Sequence, residues 1–210
     1  MFTMLVGAVD VVPGEGGQQD YKVATRFIAF VGPLIPFRAM CVTSEDFQRH
    51  GNTSTHSYSG EDVKFSLASI ALGYVRVWSW ILAFALPFIL YWKQSVHAYM
   101  LIPSAYAAGV GIAAAVLPGL LTRGRVKRLK VVRRVTGLGC DPSRRTERNR
   151  TEAIERMTTR LTDLALPTSP EVLKDRVSSF TPEQAALVFT WAWYRGDEAL
   201  REAAWQKCAA

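Results

Sequence analysis

The stretch that decides the fold is VWSWILAFALPFILYW, Val77–Trp92, which is followed by a second uncharged run, Ala98–Leu121, and then by RGRVKRLKVVRR, Arg123–Arg134. A helix needs about 20 predominantly apolar residues to cross a bilayer, and the first run reaches this length if its helix begins near Val63. The pattern predicts an α-helical membrane hairpin of two spans over residues 63–122. A buried soluble hairpin is the alternative, although core helices are usually shorter.

Arg76 lies at the upstream edge of the first apolar run. A charge inside a span is costly and is often functional. If the membrane begins at Val77, Arg76 sits among the lipid headgroups at the interface. If the span is centred further upstream, the side chain faces a partner helix or a wet cavity.

Basic residues are concentrated after the second apolar run. Residues 123–150 contain eleven Lys or Arg against two Asp or Glu, in a chain of net charge +7. The predicted connecting loop, 93–97, has one Lys. Because cytoplasmic segments near spans are rich in Lys and Arg, both termini are expected in the cytoplasm. Met1–Val12 lacks a basic start, so no signal peptide is expected there.

The position of the basic cluster favours lipid over nucleic acid as its partner. A cluster that begins two residues after a membrane span fixes topology and contacts anionic lipid, at about 1 kcal/mol per basic residue. No nucleic acid is expected as a partner. The residues predicted for this role are Arg123, Arg125, Lys127, Arg128, Lys130, Arg133 and Arg134.

Small residues in the second run predict close helix packing, because they let helix backbones approach each other. The partner is either the first run or a second copy of the chain, and the sequence leaves both open. The candidate packing residues are Ala105, Ala108, Gly109 and Gly111.

The region before the membrane segment reads as a small cytoplasmic β module over residues 1–47. Strands are predicted at Phe2–Val12, Tyr21–Phe30 and Phe37–Thr43, with the last two separated at Gly32–Pro36 because each proline removes a ladder donor. Residues 48–62 are polar and small, which is typical of a flexible linker.

The region after the membrane segment predicts a basic juxtamembrane stretch, 123–145, and a cytoplasmic all-α module, 146–210. Thr181–Gln184 has capping-box spacing, and Arg195–Asp197 predicts a turn into a last helix, Glu198–Lys207. Aromatic residues in this module form either a face for a partner protein or the core of the module. They are Trp191, Trp193, Tyr194 and Trp205.

Enzymatic and metal-site patterns are not apparent. The three cysteines, Cys41, Cys140 and Cys208, lie far apart and form no zinc pattern. His50 and His56 have acidic neighbours, but nothing fixes their geometry. Phosphate-loop, nucleophile-elbow and zinc-protease motifs are missing from the sequence. We therefore expect no cofactor, no metal and no catalytic residue.

Two elements resemble a group of uncharacterised small bacterial membrane proteins. The first, YKVATRFIAFVGPLIPF over Tyr21–Phe37, has a strand with Tyr, Val and Thr, an aromatic-rich run and Pro-Leu-Ile-Pro. The second, VTGLGCDP over Val135–Pro142, follows a basic stretch. The resemblance implies a multi-pass protein of the bacterial inner membrane and brings no activity with it.

The sequence as a whole predicts a non-catalytic, membrane-anchored interaction or assembly protein. Its expected partners are membrane lipids and either another membrane or cytoplasmic protein or a second copy of itself. An oligomeric channel or transport subunit is the alternative, and an enzyme acting on lipid is the third reading.

Overall fold

The computed structural model describes residues 2–14, 20–29, 33–50, 53–92 and 102–209, and it divides into two compact units, Met1–Val126 and Lys127–Ala210. The predicted loop at 93–97 lies outside the described residues. Within the first unit, four strands form an antiparallel meander in the order β1-β2-β3-β4. They are β1 (Phe2–Val12), β2 (Tyr21–Ala29), β3 (Pro33–His50) and β4 (Thr53–Val63).

Strand β3 is longer than the sequence predicted, because the prolines at its start do not end it. Pro33 pairs with Ala29 and Pro36 pairs with Phe27 across the β2–β3 ladder. The register shifts twice here, between Arg26 and Phe27 and again between Ile28 and Ala29. Such irregularities relieve the ladder where proline has no N–H to donate. The predicted break at Gly32–Pro36 is therefore wrong for Pro33–Pro36.

Strand β4 occupies residues 53–63, where the composition predicted a flexible linker. It pairs antiparallel with β3, from His50 opposite Thr53 to Ala39 opposite Val63. Its residues from Ser57 to Asp62 are exposed or half-buried, and a solvent-facing strand surface accommodates serine without an apolar partner. Polar composition alone did not reveal this strand.

Helix α1 (Leu67–Trp92) covers the sheet with its first turns. The Ser69 hydroxyl donates to the carbonyl of Gly7 on β1 (2.7 Å) and lies 2.8 Å from the hydroxyl of Thr25 on β2. Further along, Gly73 lets the ring of Phe27 approach, and that ring meets Tyr74 edge-on at 5.2 Å. The sheet thus gains its apolar cover from the chain's own helix.

Helix α2 (Ile102–Leu121) packs along α1, and helix α3 (Arg123–Thr136) follows it. The apolar part of α2, Ile102–Pro118, has 17 residues and is separated from α3 by a bend. Seventeen helical residues extend about 26 Å, less than the hydrocarbon thickness of about 30 Å.

The predicted fold class, a two-span membrane hairpin with flanking β and α modules, is wrong in its central part. Among the described residues only α1, over Leu67–Ile89, is long and apolar enough by itself to cross a membrane. A core helix of a soluble protein passes the same length and hydropathy criterion. Helix α2 meets the criterion only when joined to α3 across the bend, and the first turns of α1 pack on the sheet.

The second unit is helical. Its elements are α3 from Lys127 onward, α4 (Glu147–Asp163), α5 (Pro170–Arg176), α6 (Pro182–Arg195) and α7 (Glu198–Ala209), with 3-10 turns at Pro142–Arg144 and Val177–Ser179. The predicted capping box at Thr181 and Gln184 is confirmed, and Gly196 ends α6 in the left-handed conformation (φ 82°). These two signals fix the limits of α6.

The sequence predicted that the basic stretch 123–145 is separate from the helical module. In the structure, α3 from Lys127 onward is part of the helical unit. Leu129 and Val132 of α3 are fully buried, and Val132 belongs to the apolar core that also contains Leu161, Phe189 and Trp191. Leu129 and Val132 are three residues apart and so lie on one face of the helix. The core of the second unit therefore includes the basic helix.

Candidate functional site

Large apolar side chains point outward from the far half of α1 and from α2. Only 11% of the apolar part of α1 is buried. Monomeric soluble proteins rarely expose contiguous apolar patches of more than a few hundred Å². We call these residues the apolar helix surface; its members on α1 are Trp78, Trp80, Leu82, Phe84, Phe88, Ile89, Tyr91 and Trp92, and those on α2 are Ile102, Tyr106, Ile112, Val116 and Leu117.

The inward side of the helix pair is made of small residues. Gly111 of α2 is buried, and a Cβ there would lie 3.3 Å from the indole nitrogen of Trp80 and 3.4 Å from Ser79. Gly109 faces open space, Ala105 is exposed and Ala108 is half-buried. Of the predicted packing residues, Gly111 therefore makes the close approach, and its partner is α1 of the same chain.

Arg76 bonds to the backbone of two neighbouring elements. Its Nε donates to the carbonyl oxygen of Ala114 on α2 (2.9 Å), and a terminal nitrogen donates to the carbonyl of Ala8 on β1 (3.3 Å). In a helix the carbonyl of Ala114 would accept from residue 118, and Pro118 has no N–H to donate. Arg76 thus satisfies a carbonyl that proline frees.

A buried carboxylate that the sequence reasoning missed lies close by in the same unit. Asp10 of β1 has a left-handed backbone (φ 53°), and its side chain is only 2% exposed. Its Oδ2 lies 3.6 Å from a terminal nitrogen of Arg125. A buried charge is costly unless it is paired, so this ion pair accounts for Arg125 within the fold. An acid within the Val-rich run of β1 was the available signal.

The predicted lipid-binding residues of α3 have different surroundings. Arg125 pairs with Asp10, and Arg128 pairs with Glu202 at 3.0 Å while lying 5.3 Å from the ring centroid of Trp205. Arg123, Lys127 and Arg134 are exposed, and Lys130 and Arg133 are half-buried. The seven basic residues therefore do not share one surface.

The aromatic residues predicted as a partner face are mostly internal. Trp191 and Tyr194 are fully buried, and Trp193 and Trp205 are half-buried. The indole nitrogen of Trp191 donates to the hydroxyl of Thr158 (3.0 Å). Of the two readings that the sequence left open, core packing applies to Trp191 and Tyr194.

Tyr194 anchors two arginines. Its hydroxyl accepts from buried Arg145 (2.9 Å), and its carbonyl accepts from Nε of Arg150 (2.6 Å). Burial raises the pKa of the Tyr194 hydroxyl above its ordinary value, although Arg145 opposes this. The hydroxyl therefore stays protonated at neutral pH, and the contact with Arg145 is structural.

A half-open groove of about 640 Å³ lies on the second unit between α3, α4, α6 and α7. Its walls include Val131, Leu164 and Leu187, with Arg160 and Asp163 beside them. Cys208 also lines it, and burial raises the pKa of this thiol to about 11. A thiol with this pKa is almost wholly protonated at neutral pH and is a poor nucleophile.

The potential metal ligands among the described residues do not cluster. No group of three or more His, Cys, Asp or Glu side chains within that part of the chain is placed to hold a metal ion. The side chains of His50 and His56 lie outside the described set. Cys41 and Cys140 are buried.

Comparison with known proteins identifies no relative of this chain. No protein-family model matches it, and no curated protein and no solved structure shows significant similarity to it. The predicted resemblance to small bacterial membrane proteins stays a prediction.

Proposed function

We propose that this is a non-catalytic, membrane-anchored interaction or assembly protein, held at the bacterial inner membrane by the apolar helix surface. The observation that carries the proposal is the outward exposure of bulky residues on α1 and α2, with Phe84 72% and Trp92 77% exposed. Their transfer from water to lipid is favourable in proportion to their area. The helical unit, which has a half-open groove between α3, α4, α6 and α7, is assigned the contact with a partner protein.

The geometry favours an anchor that enters the bilayer without crossing it. The contacts of α1 with the strands extend to Trp78, whose indole nitrogen donates to the carbonyl of Pro33 (3.4 Å). From Trp80 to Trp92 the free part of α1 extends about 20 Å, which is shorter than the hydrocarbon core of about 30 Å. Trp80, at the start of this part, suits the headgroup level.

The transport alternative receives less support. It requires a polar group that is available to a path through the membrane. Arg76, the candidate for this role, already donates to two backbone carbonyls. Substitution of Arg76 is therefore expected to disturb the packing of α2 rather than to abolish transport.

The anchor is tested by membrane retention of the full chain in bacterial cells. We expect the wild type to sediment with membranes and to resist high-salt and alkaline washes. The double variant Phe84→Asp, Phe88→Asp should be largely released, because each charge is costly to bury in lipid. The matched control is Val172→Asp, which puts the same charge on an exposed apolar residue of α5. Full retention of the double variant, or equal release of the control, contradicts the proposal.

A further inference from the structure

Helix α3 carries a row of cations on one face of the second unit. Lys127, Lys130 and Arg134 are separated by three and four residues, so they line up along the helix. Lys127 and Arg134 are exposed and Lys130 is half-buried. We call these three residues the cationic row.

The row lies opposite the side of α3 that is fixed in the core. Leu129 and Val132 are fully buried, and at 100° per residue their mean direction is about 160° from that of the row. Arg128, on the flank of the buried side, is held by Glu202 and by the ring of Trp205. The core therefore prevents α3 from rotating and fixes the direction of the row. Lys127 stays exposed, and Arg134, at the other end of the row, also lines the groove between α3, α4, α6 and α7.

We propose that the cationic row binds the phosphate groups of anionic lipids at the bilayer surface; this inference rests on the proposed membrane anchor. The row spans about 10 Å, so several headgroups can contact it at once. Charge complementarity alone would also fit nucleic acid. Lipid is favoured because α3 begins two residues after α2, one of the two helices that carry the apolar helix surface.

The test is co-sedimentation of the full-length protein with vesicles at low ionic strength. One vesicle contains phosphatidylcholine alone, and the other contains phosphatidylcholine mixed with phosphatidylglycerol. The wild type should bind the anionic vesicle more tightly. The variant Lys127→Gln, Lys130→Gln, Arg134→Gln should reduce that preference on the order of 100-fold, since each basic residue near the surface contributes about fivefold.

Two controls separate the row from net charge and from folding. The triple variant Arg156→Gln, Lys174→Gln, Arg176→Gln removes the same charge from exposed positions of α4 and α5, and it should keep most of the preference. Lys127→Gln alone changes one exposed residue and should cost about fivefold even if the triple variant is unstable. Lys127→Arg should bind like the wild type.

The outcomes distinguish the row from the anchor. The inference is overturned if the wild type binds both vesicles equally, if the glutamine variants keep the preference, or if the row retains RNA but not anionic vesicles. If the wild type does not bind phosphatidylcholine vesicles, the proposed anchor is contradicted instead. A row-dependent preference for anionic vesicles would in that case still support the row.

Discussion

The two units use the same residue type in opposite ways. In the second unit Trp191 is fully buried, donates to Thr158 and lies under the guanidinium of Arg195 at 4.6 Å. In the first unit Trp80 and Trp92 are 41% and 77% exposed. Both regions are apolar by composition, so composition does not distinguish a buried core from an exposed apolar surface. What differs is whether other elements pack over the side chains.

The first unit is stabilised elsewhere, where the backbone of α1 approaches the sheet. Ser69, Gly73 and Gly7 are small, and they bring a helix and two strands together. The second unit instead interlocks bulky rings, such as Phe189 with Trp193 (5.5 Å) and with Trp205 (5.2 Å). Close backbone contact leaves the large side chains in the far half of α1 exposed.

The largest difference in stability is expected when one tryptophan of each region is replaced by alanine. Trp191→Ala should lower the free energy of unfolding of the second unit by about 3–5 kcal/mol, since it leaves a large cavity in the core. Trp92→Ala should leave stability almost unchanged and weaken membrane retention. Hydrogen exchange read by mass spectrometry on the full chain measures both variants. Equal loss of protection in the two variants would break the comparison.

The next effect tests whether backbone contact stabilises the first unit. Gly7 has φ 73°, and a Cβ there would lie 1.9 Å from the carbonyl oxygen of Ser69. Gly7→Ala should cost about 2–4 kcal/mol through strain and overpacking. Gly109→Ala is the control, because nothing lies within 4 Å of its Cβ position and alanine favours helix by about 1 kcal/mol. Hydrogen exchange in β1 and α1 is the measurement, and unchanged protection in Gly7→Ala would show that the contact is not needed.

Local signals in the sequence predicted several elements correctly. Strand β1 occupies the predicted Phe2–Val12, and the capping residues of α6 are at the predicted positions. These features depend on neighbouring residues, whose side-chain period and capping chemistry are visible in one chain. The uncharged runs likewise predicted helices, and α1 and α2 are the result.

Contacts between distant residues could not be predicted in the same way. The Ser69 hydroxyl donates a hydrogen bond to the Gly7 carbonyl, 62 residues away in sequence. No local pattern predicts that the first turns of α1 pack on a sheet. The two-span hairpin followed from counting uncharged residues as if all of them faced lipid. Which basic residues of α3 are exposed depends on which side of the helix is buried. The spacing of Leu129 and Val132 could have indicated the buried side.

The smallest effect concerns an exposed ion pair on the sheet of the first unit, in contrast to the buried Arg145 of the second. Both side chains of the pair Arg38 and Asp62 are about half exposed, and Asp62 accepts two hydrogen bonds from the guanidinium, one from Nε and one of 2.8 Å from a terminal nitrogen. Hydrogen bonding to Arg38 holds the pKa of the Asp62 carboxyl below its ordinary 3.8. The folded chain thus binds fewer protons than the unfolded chain as the pH falls through this range. The stabilisation is complete above 3.8 and is lost as the pH drops through the folded pKa.

Asp62→Asn should therefore lower stability slightly at neutral pH and not at all in strong acid, and salt should weaken the difference because exposed pairs are screened. The control Asp175→Asn removes the same charge from exposed α5 of the second unit. The measurement is hydrogen exchange in β3 and β4 of the full chain at several pH values, corrected for the intrinsic rate. A large, pH-independent loss in Asp62→Asn would mean that Asp62 supports the sheet through packing rather than charge. The exposed pair on the sheet would then contribute through packing, as the buried Arg145 of the helical unit does, and the contrast between the two would not hold.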